Sequence, residues 1–595
     1  MGKRKAIRMT IQLPLLFMWA VACSWSPQVV PGFPQTTNPV QPELVLSSPL
    51  PGAFVTPTRT PFQPQAAPPT FLPETTAQAP SESQPTLTSS APTAIEPSPA
   101  IKIARTVWVN PQLPIAFRAS LVPPADMSLV DSPQQAAFQI NFSYESPISH
   151  WIFALVSPFP SLVEGVSADT LRLAWSGQTS GPFAGKPLLV DESTLFALRI
   201  LWGEPATQAI KVLPTEELLP SAWKNQPAWA ILPFENLEPR WKVLEIDGQS
   251  PLRKEFDAGA YLLNVPISLT GDPAQINLSD PLLAASSNRQ PERLTVLVMT
   301  GVTALVRSTA YAMERKGIEY PAGGILNWLK DADLTHISNE VPFAEDCPAP
   351  DPFQTGMIFC SHPSYIGLLE RVGTDIVELT GDHFQDWGTG AMNLTLEMYQ
   401  ERGWLTFGGG ANLEQARQAI TLEHNGNRLA LIGCNAKGGS YAQAAAKRPG
   451  AAACDLAWME SEITRLRDEG YLPIVTFQHF EYYTYKAQPD QKRDFRRMAQ
   501  AGAVIVSGSQ AHQPQAIEFN QGAFIHYGLG NLFFDQYEVS LATQQAFIDR
   551  HIFYDGRYIG TELLTGLFID YAKMRPMTAA ERNTLLQAIF SASGW

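Results

Sequence analysis

A chain of 595 residues is longer than one hydrophobic core sustains, so two or three domains are expected. Its hydrophobic fraction of 45% is that of globular protein. A net charge of −14 and a pI near 5.2, with no run of three basic residues beyond Lys5, exclude a nucleic-acid partner, whose phosphates require grouped Lys and Arg.

In chain order, Lys3, Arg4, Lys5 and Arg8 form a positive start, followed by an apolar run over 11–21 that is too short to span a bilayer. The run ends Ala20-Val21-Ala22-Cys23, which resembles the lipobox of bacterial lipoproteins. That resemblance makes 1–22 a signal peptide and Cys23 the lipidated residue, anchoring an extracytoplasmic protein to a membrane. An ordinary signal peptide cleaved after Ala22 is the alternative. Residues 24–100 hold eighteen prolines among many Ser, Thr and Gln, with Arg59 the one basic residue. Such a segment cannot bury enough apolar surface to offset its ordering entropy, so 23–100 reads as a disordered, partly extended stalk.

Residues 101–290 form a first domain in which short apolar segments, 151–156 and 196–201 among them, alternate with helices. One helix begins at the N-cap Ser167. The texture of 151–175, with Trp229-Ala230-Ile231-Leu232-Pro233-Phe234 and Trp241-Lys242-Val243-Leu244, resembles a periplasmic solute-binding fold. A structural α/β spacer is the competing reading.

Residues 291–595 read as a layered α/β domain. Apolar runs of strand length occur at 294–300, 334–338, 376–379, 429–433, 474–477 and 504–506. Helical stretches follow at 304–315, 365–372, 391–402, 413–419, 456–469 and 491–501, and a capping box at Thr578-Ala579-Ala580-Glu581 opens a last helix. Strand alternating with helix predicts a largely parallel sheet covered on both faces, with chemistry at the carboxyl ends of its strands. Cys347, Cys360, Cys434 and Cys454 all lie here. In an exported domain they pair as Cys347–Cys360 and Cys434–Cys454, each closing a short loop. A zinc cluster is the alternative, but the spacings are not CxxC.

The residues after each strand are specific. Asn339-Glu340-Val341-Pro342 follows the second, Asp382-His383-Phe384-Gln385-Asp386-Trp387-Gly388 the third, and His479 and Glu481 the strand at 474. Gly508-Ser509-Gln510-Ala511-His512 and Leu529-Gly530-Asn531 come later. In this order the fragments resemble the capsule-synthesis CapA family of the calcineurin-like metallophosphoesterase superfamily, linked to poly-γ-glutamate. The resemblance covers about half the chain. It implies metal ligands at Glu340, Asp382, His479 and His512, with His383 as ligand or general acid, Asp386 orienting it, and Gln510 and Asn531 supporting. The Asp386 carboxylate three residues after His383 can fix the imidazole tautomer.

The chain departs from that pattern in two places. Thr300-Gly301-Val302 stands where the family carries Gly-Asp, and valine cannot ligate. Gly508-Ser509-Gln510-Ala511-His512 stands where the family has Gly-His-His-Pro-His. Too few ligands remain for two metals, so the expectation is one divalent ion (Mn, Mg, Fe or Zn), or none because Val302 replaces the aspartate. Blander readings stand beside these: His479 as a packed histidine, Glu340 as a cap or the neutraliser of Arg307, and the aromatics of 480–485 as core. Two functions follow. One is a surface CapA-like metallohydrolase acting on, exporting or anchoring an anionic extracellular polymer or envelope glycan. The other is a polymer- or solute-binding module that has lost catalysis.

Overall fold

The computed structural model describes residues 105–595 except 146, 179–180 and 272–286. The signal peptide, Cys23 and the proline-rich stalk lie outside the described residues. All described residues fall in one compact unit.

The first part of that unit is built on a nine-stranded mixed sheet. Its centre is the long strand Pro147–Pro158, paired antiparallel to Asn264–Gly271 on one side and to Trp229–Pro233 on the other. Ser167 caps the helix Ala168–Trp175 as its sequence indicates, accepting a hydrogen bond from the Thr170 N–H. Residues 196–201 belong to the helix Glu192–Trp202, with Asp191 as N-cap and Gly203 as C-cap. A short apolar run cannot distinguish a buried strand from a buried helix face, and here the caps decide it.

The second part is built on two large sheets, with a small two-stranded one pairing Gly409–Gly410 to Gly450–Ala451. In chain order, β1 is Leu294–Thr300, β2 Leu334–Asn339, β3 Ile376–Glu378, β4 Leu405–Phe407, β5 Asn427–Asn435, β6 Leu472–Gln478, β7 Ile505–Ser507, β8 Ala523–His526, β9 Gln545–Tyr554 and β10 Arg557–Phe568. The helices used below are α1 Arg307–Lys316, α2 Gly388–Glu401, α3 Leu456–Asp468, α4 Pro489–Ala501 and α5 Ala579–Ser593. One sheet runs β4-β3-β2-β1-β9-β10, the other β5-β6-β7-β8 with antiparallel edge strands at both ends. Each keeps a parallel core: β1 to β4 in the first, β5 to β8 in the second. A single largely parallel sheet is thus corrected to two mixed sheets. The fold class is layered α/β. All seven residues of β1 are buried, which explains its unbroken apolar run: both its faces are covered.

The two parts share one core. Leu294, Val296, Ile552, Tyr554 and Ile559 pack in the same cluster as the first sheet's Phe153, Leu155 and Ile231. Conversely, Phe159 inserts among the rings of Phe519, Phe524, Phe590 and Trp595. Ion pairs Lys242–Glu164, Arg582–Glu164 and Arg253–Glu562 line the seam.

Both predicted disulfides are present. Cys347–Cys360 ties the loop after Glu340, and Cys434–Cys454 ties the end of β5 to the approach to α3.

Candidate functional site

The carboxyl ends of the parallel strands of both sheets open into one cleft. From the first sheet, Glu340 follows β2 directly and its backbone N–H bonds Thr303 O at 2.8 Å. Its side chain is 1% exposed, and Oε1 has no hydrogen-bond partner. Gly381 permits the next strand end to close on it: a Cβ there would sit 2.7 Å from the Glu340 Cα. Burial raises the Glu340 carboxyl to about 7; neighbouring Asp382 and Glu481 add to this, while His512 and His383 oppose it.

Asp382 and His383 follow β3. Gln478 Nε2 donates to Asp382 Oδ1 at 3.0 Å, and the Lys437 ammonium meets Oδ2 at 3.0 Å. His383 Nδ1 lies 2.6 Å from Asp386 Oδ2, which also accepts the Phe359 N–H at 2.9 Å. A carboxylate can only accept from the ring, so Nδ1 carries the proton and Nε2 is the atom left for the cleft. Burial works against the charged imidazole. The bond to Asp386 and the nearby Glu340 and Asp382 outweigh it, raising His383 to about 9.

From the second sheet come Lys437 after β5, Glu481 after β6 and His512 after β7. Burial would raise the Glu481 carboxyl, yet His512 and Lys437 hold it down at about 2. His512 Nε2 is 3.3 Å from Glu481 Oε1. Its Nδ1 lies 2.9 Å from Asn531 Oδ1. The Asn531 amide is oriented because its Nδ2 donates to the carbonyls of His512 and Thr543. Asn531 Oδ1 is therefore an acceptor, His512 Nδ1 carries a proton, and Nε2 faces the acidic cluster. The two residues standing where the family has histidines point elsewhere: Ser509 donates to Glu378, and Gln510 Nε2 to Ser338 Oγ at 2.6 Å. They pin the His512 loop to the opposite sheet.

The structure therefore brings Glu340, Asp382, His383 and His512 together, with Asp386 and Asn531 behind the two imidazoles. His479 stands apart. Its Nε2 pairs with Asp494 of α4 at 3.2 Å, and its ring packs near Phe477 and Phe495. The expected ligand position at His479 is corrected: Glu481, two residues on, is the residue of this loop that reaches the cluster.

Two donor triplets result, Glu340–Glu481–His512 and Glu340–Asp382–His383, each with ligand atoms within 4.8 Å of one another. The unpartnered Glu340 oxygen and the two imidazoles held through their far nitrogens are what a divalent ion requires of its ligands. Val302 offers nothing, being enclosed by Ala304, Val306, Val341, Phe359 and Phe534. The residues fit one ion.

The cluster lies at the floor of an open cleft of about 750 Å³. Arg307 lines it, with a φ of 45° that L-residues adopt rarely and at a cost. Its guanidinium lies over the Phe534 ring at 4.9 Å and donates to the Asp535 carbonyl rather than to Glu340. Lys437 is not evident from a sequence pattern of carboxylates and imidazoles, and Arg307, expected beside Glu340, engages Phe534 and Asp535 instead. The rule that found the others, the residues just past a parallel strand, also covers Lys437.

The site is thus a cluster of carboxylates and imidazoles gathered at the strand ends of a layered α/β domain. Residues 296–536 match the family profile described as bacterial capsule synthesis protein PGA_cap. It is similar to the capsule biosynthesis protein CapA of Bacillus anthracis, 24% identical over 305 residues, covering 50% of this chain and 73% of that protein. It is also similar to the PGA biosynthesis protein CapA of Bacillus subtilis (strain 168), 26% identical over 172 residues, 29% of this chain and 45% of that protein. Among solved structures, NAD nucleotidase of Haemophilus influenzae superimposes with a TM-score of 0.29 at 9% identity, over 50% of this chain and 56% of that one.

Proposed function

We propose that this chain is an exported CapA-type protein of the cell envelope, serving the synthesis, export or anchoring of an anionic capsule polymer of the poly-γ-glutamate kind. The observation that carries the reading is the convergence of Glu340, His383, Glu481 and His512 on one open cleft of a PGA_cap domain, with Asp382 beside Glu340 and His383. The two disulfides support an oxidising compartment. Tethering through Cys23 and a solute-binding role for 101–290 complete the proposal, on the lipobox and on the strand–helix texture respectively.

In this reading Glu340, with His512 and Glu481 or with Asp382 and His383, holds one divalent ion (Mn, Mg, Fe or Zn). Such an ion would polarise a phosphoryl or carbonyl oxygen of the bound polymer or its precursor. With the ion on Glu340, His512 and Glu481, His383 presents a free Nε2 to the cleft and donates or accepts the proton there, with Asp386 fixing its tautomer. Arg307 and Lys437 attract the anionic groups of the ligand. Val302 supports a second reading, a polymer-binding module without turnover.

The test uses the full mature chain. Metal content is measured after purification, together with hydrolysis of p-nitrophenyl phosphate esters and retention of poly-γ-glutamate. One metal per chain and turnover that His383→Ala lowers at least 100-fold are expected. Polymer retention without turnover favours the binding module, and neither polymer retention nor turnover rejects the proposal.

A further inference from the structure

A side-chain cation already stands between the two donor triplets. Lys437 lies two residues past β5 in a tight turn, where the Gly438 N–H bonds Asn435 Oδ1 and Asn435 Nδ2 donates to Thr380 O at 2.7 Å. The turn fixes where the lysine stem leaves the backbone. Its ammonium meets Asp382 Oδ2 at 3.0 Å and also contacts Glu481 Oε1. Asp382 belongs to one triplet and Glu481 to the other, and Glu340 is common to both. The remaining Asp382 oxygen is engaged by Gln478. Each triplet thus has one carboxylate committed to the same ammonium, while the buried Glu340 oxygen alone has no donor.

Two divalent ions in this space would need the oxygens that Lys437 holds, and an ion bridging Asp382 and Glu481 would face the ammonium at a few ångströms, where like charges repel strongly in a partly buried site. A compact ammonium on a flexible stem can neutralise both carboxylates and still present a donor to the cleft it lines. The geometry points to Lys437 as a built-in replacement for the second cation of a two-metal centre: it limits the site to one divalent ion at Glu340 and leaves a fixed positive charge to grip an anionic substrate oxygen. This rests on the one-ion reading above and adds to it the reason why a second ion is refused.

The experiment titrates the full mature chain with Mn²⁺ alone and counts bound ions per chain by equilibrium dialysis. Wild type is expected to bind one, Lys437→Met one more, and Lys437→Arg, which keeps the charge, no more than wild type. Glu340→Gln in the Lys437→Met background is expected to remove at least one ion. Lys437→Gln carries the same readout should the methionine variant fail to fold. Equal counts for wild type and both neutral variants overturn the inference, and if that count is one, the one-ion reading survives. Two ions on wild type overturn both. No ion on wild type overturns the one-ion reading and, with it, the inference.

Discussion

Histidine chemistry in this fold is decided by what holds the far nitrogen. His383 leans on Asp386 and His512 on Asn531, and both turn Nε2 to the cleft. His551 in β9 has no such outlet. It is 0% exposed, with Nδ1 near Thr561 Oγ1 at 2.9 Å and Nε2 unpartnered. Burial first, then the neighbouring His526 and His336, lower it to about 4, against a raising effect from Asp549. Its folded value lies below its unfolded one, so the unfolded chain binds the proton more readily. The neutral ring's contribution to stability is complete above pH 6.5 and is lost as pH falls toward 4, at up to about 1.4 kcal/mol per pH unit. The fall in melting temperature between pH 6.5 and 4.5 should therefore be steeper in wild type than in His551→Gln; equal slopes would refute it. At this scale the sequence was legible where position in the fold sets chemistry, as at Glu340, Asp382, His383 and His512. It was not legible for His479, since Asp494, which captures that ring, lies on a helix fifteen residues away that no strand-end rule considers.

Among the elements, the Cys347–Cys360 loop connects stability to the site. The bridge closes a separation of 13 residues, and inside it the Phe359 N–H bonds the same Asp386 oxygen that orients His383. Chain entropy assigns a loop of this length about 3 kcal/mol of stabilisation. Replacing both cysteines by serine should lower denaturant stability by about that amount and, on the proposed function, weaken turnover at His383 more than Mn²⁺ binding. Unchanged stability would mean that the loop is held by its packing alone. Strands were readable where they are apolar throughout, as β1 is. The long β9–β10 hairpin escaped because β9 buries Asp549, Arg550 and His551. Asp549 pairs with His526 at 2.6 Å and Arg550 with Glu562 at 3.2 Å. Partners on other strands make those polar residues tolerable, and a linear sequence does not display them. With that hairpin unseen, the β1 sheet has no antiparallel half, and the division into two sheets could not be inferred.

For the whole molecule, the shared core sets what can fold alone. β1, β9 and β10 place Leu294, Val296, Ile552, Tyr554 and Ile559 in the cluster of the first sheet, so cutting the chain near residue 290 would expose a contiguous apolar face. In return, the first part contributes Phe159, 3% exposed and ringed by four aromatic side chains of the second. Truncating a buried phenylalanine to alanine removes its transfer free energy and leaves a cavity, about 3–5 kcal/mol together. Because the cavity lies at the seam, Phe159→Ala should destabilise the cleft-bearing part as much as the part that carries the mutation. Calorimetry of the mature chain should show one transition that moves as a whole in Phe159→Ala, and a 291–595 fragment should aggregate or lose its near-UV signal. Two separable transitions, with only the first shifted by Phe159→Ala, would mean that the seam is a docking contact between independent domains, and the site would then owe nothing to the sheet that precedes it.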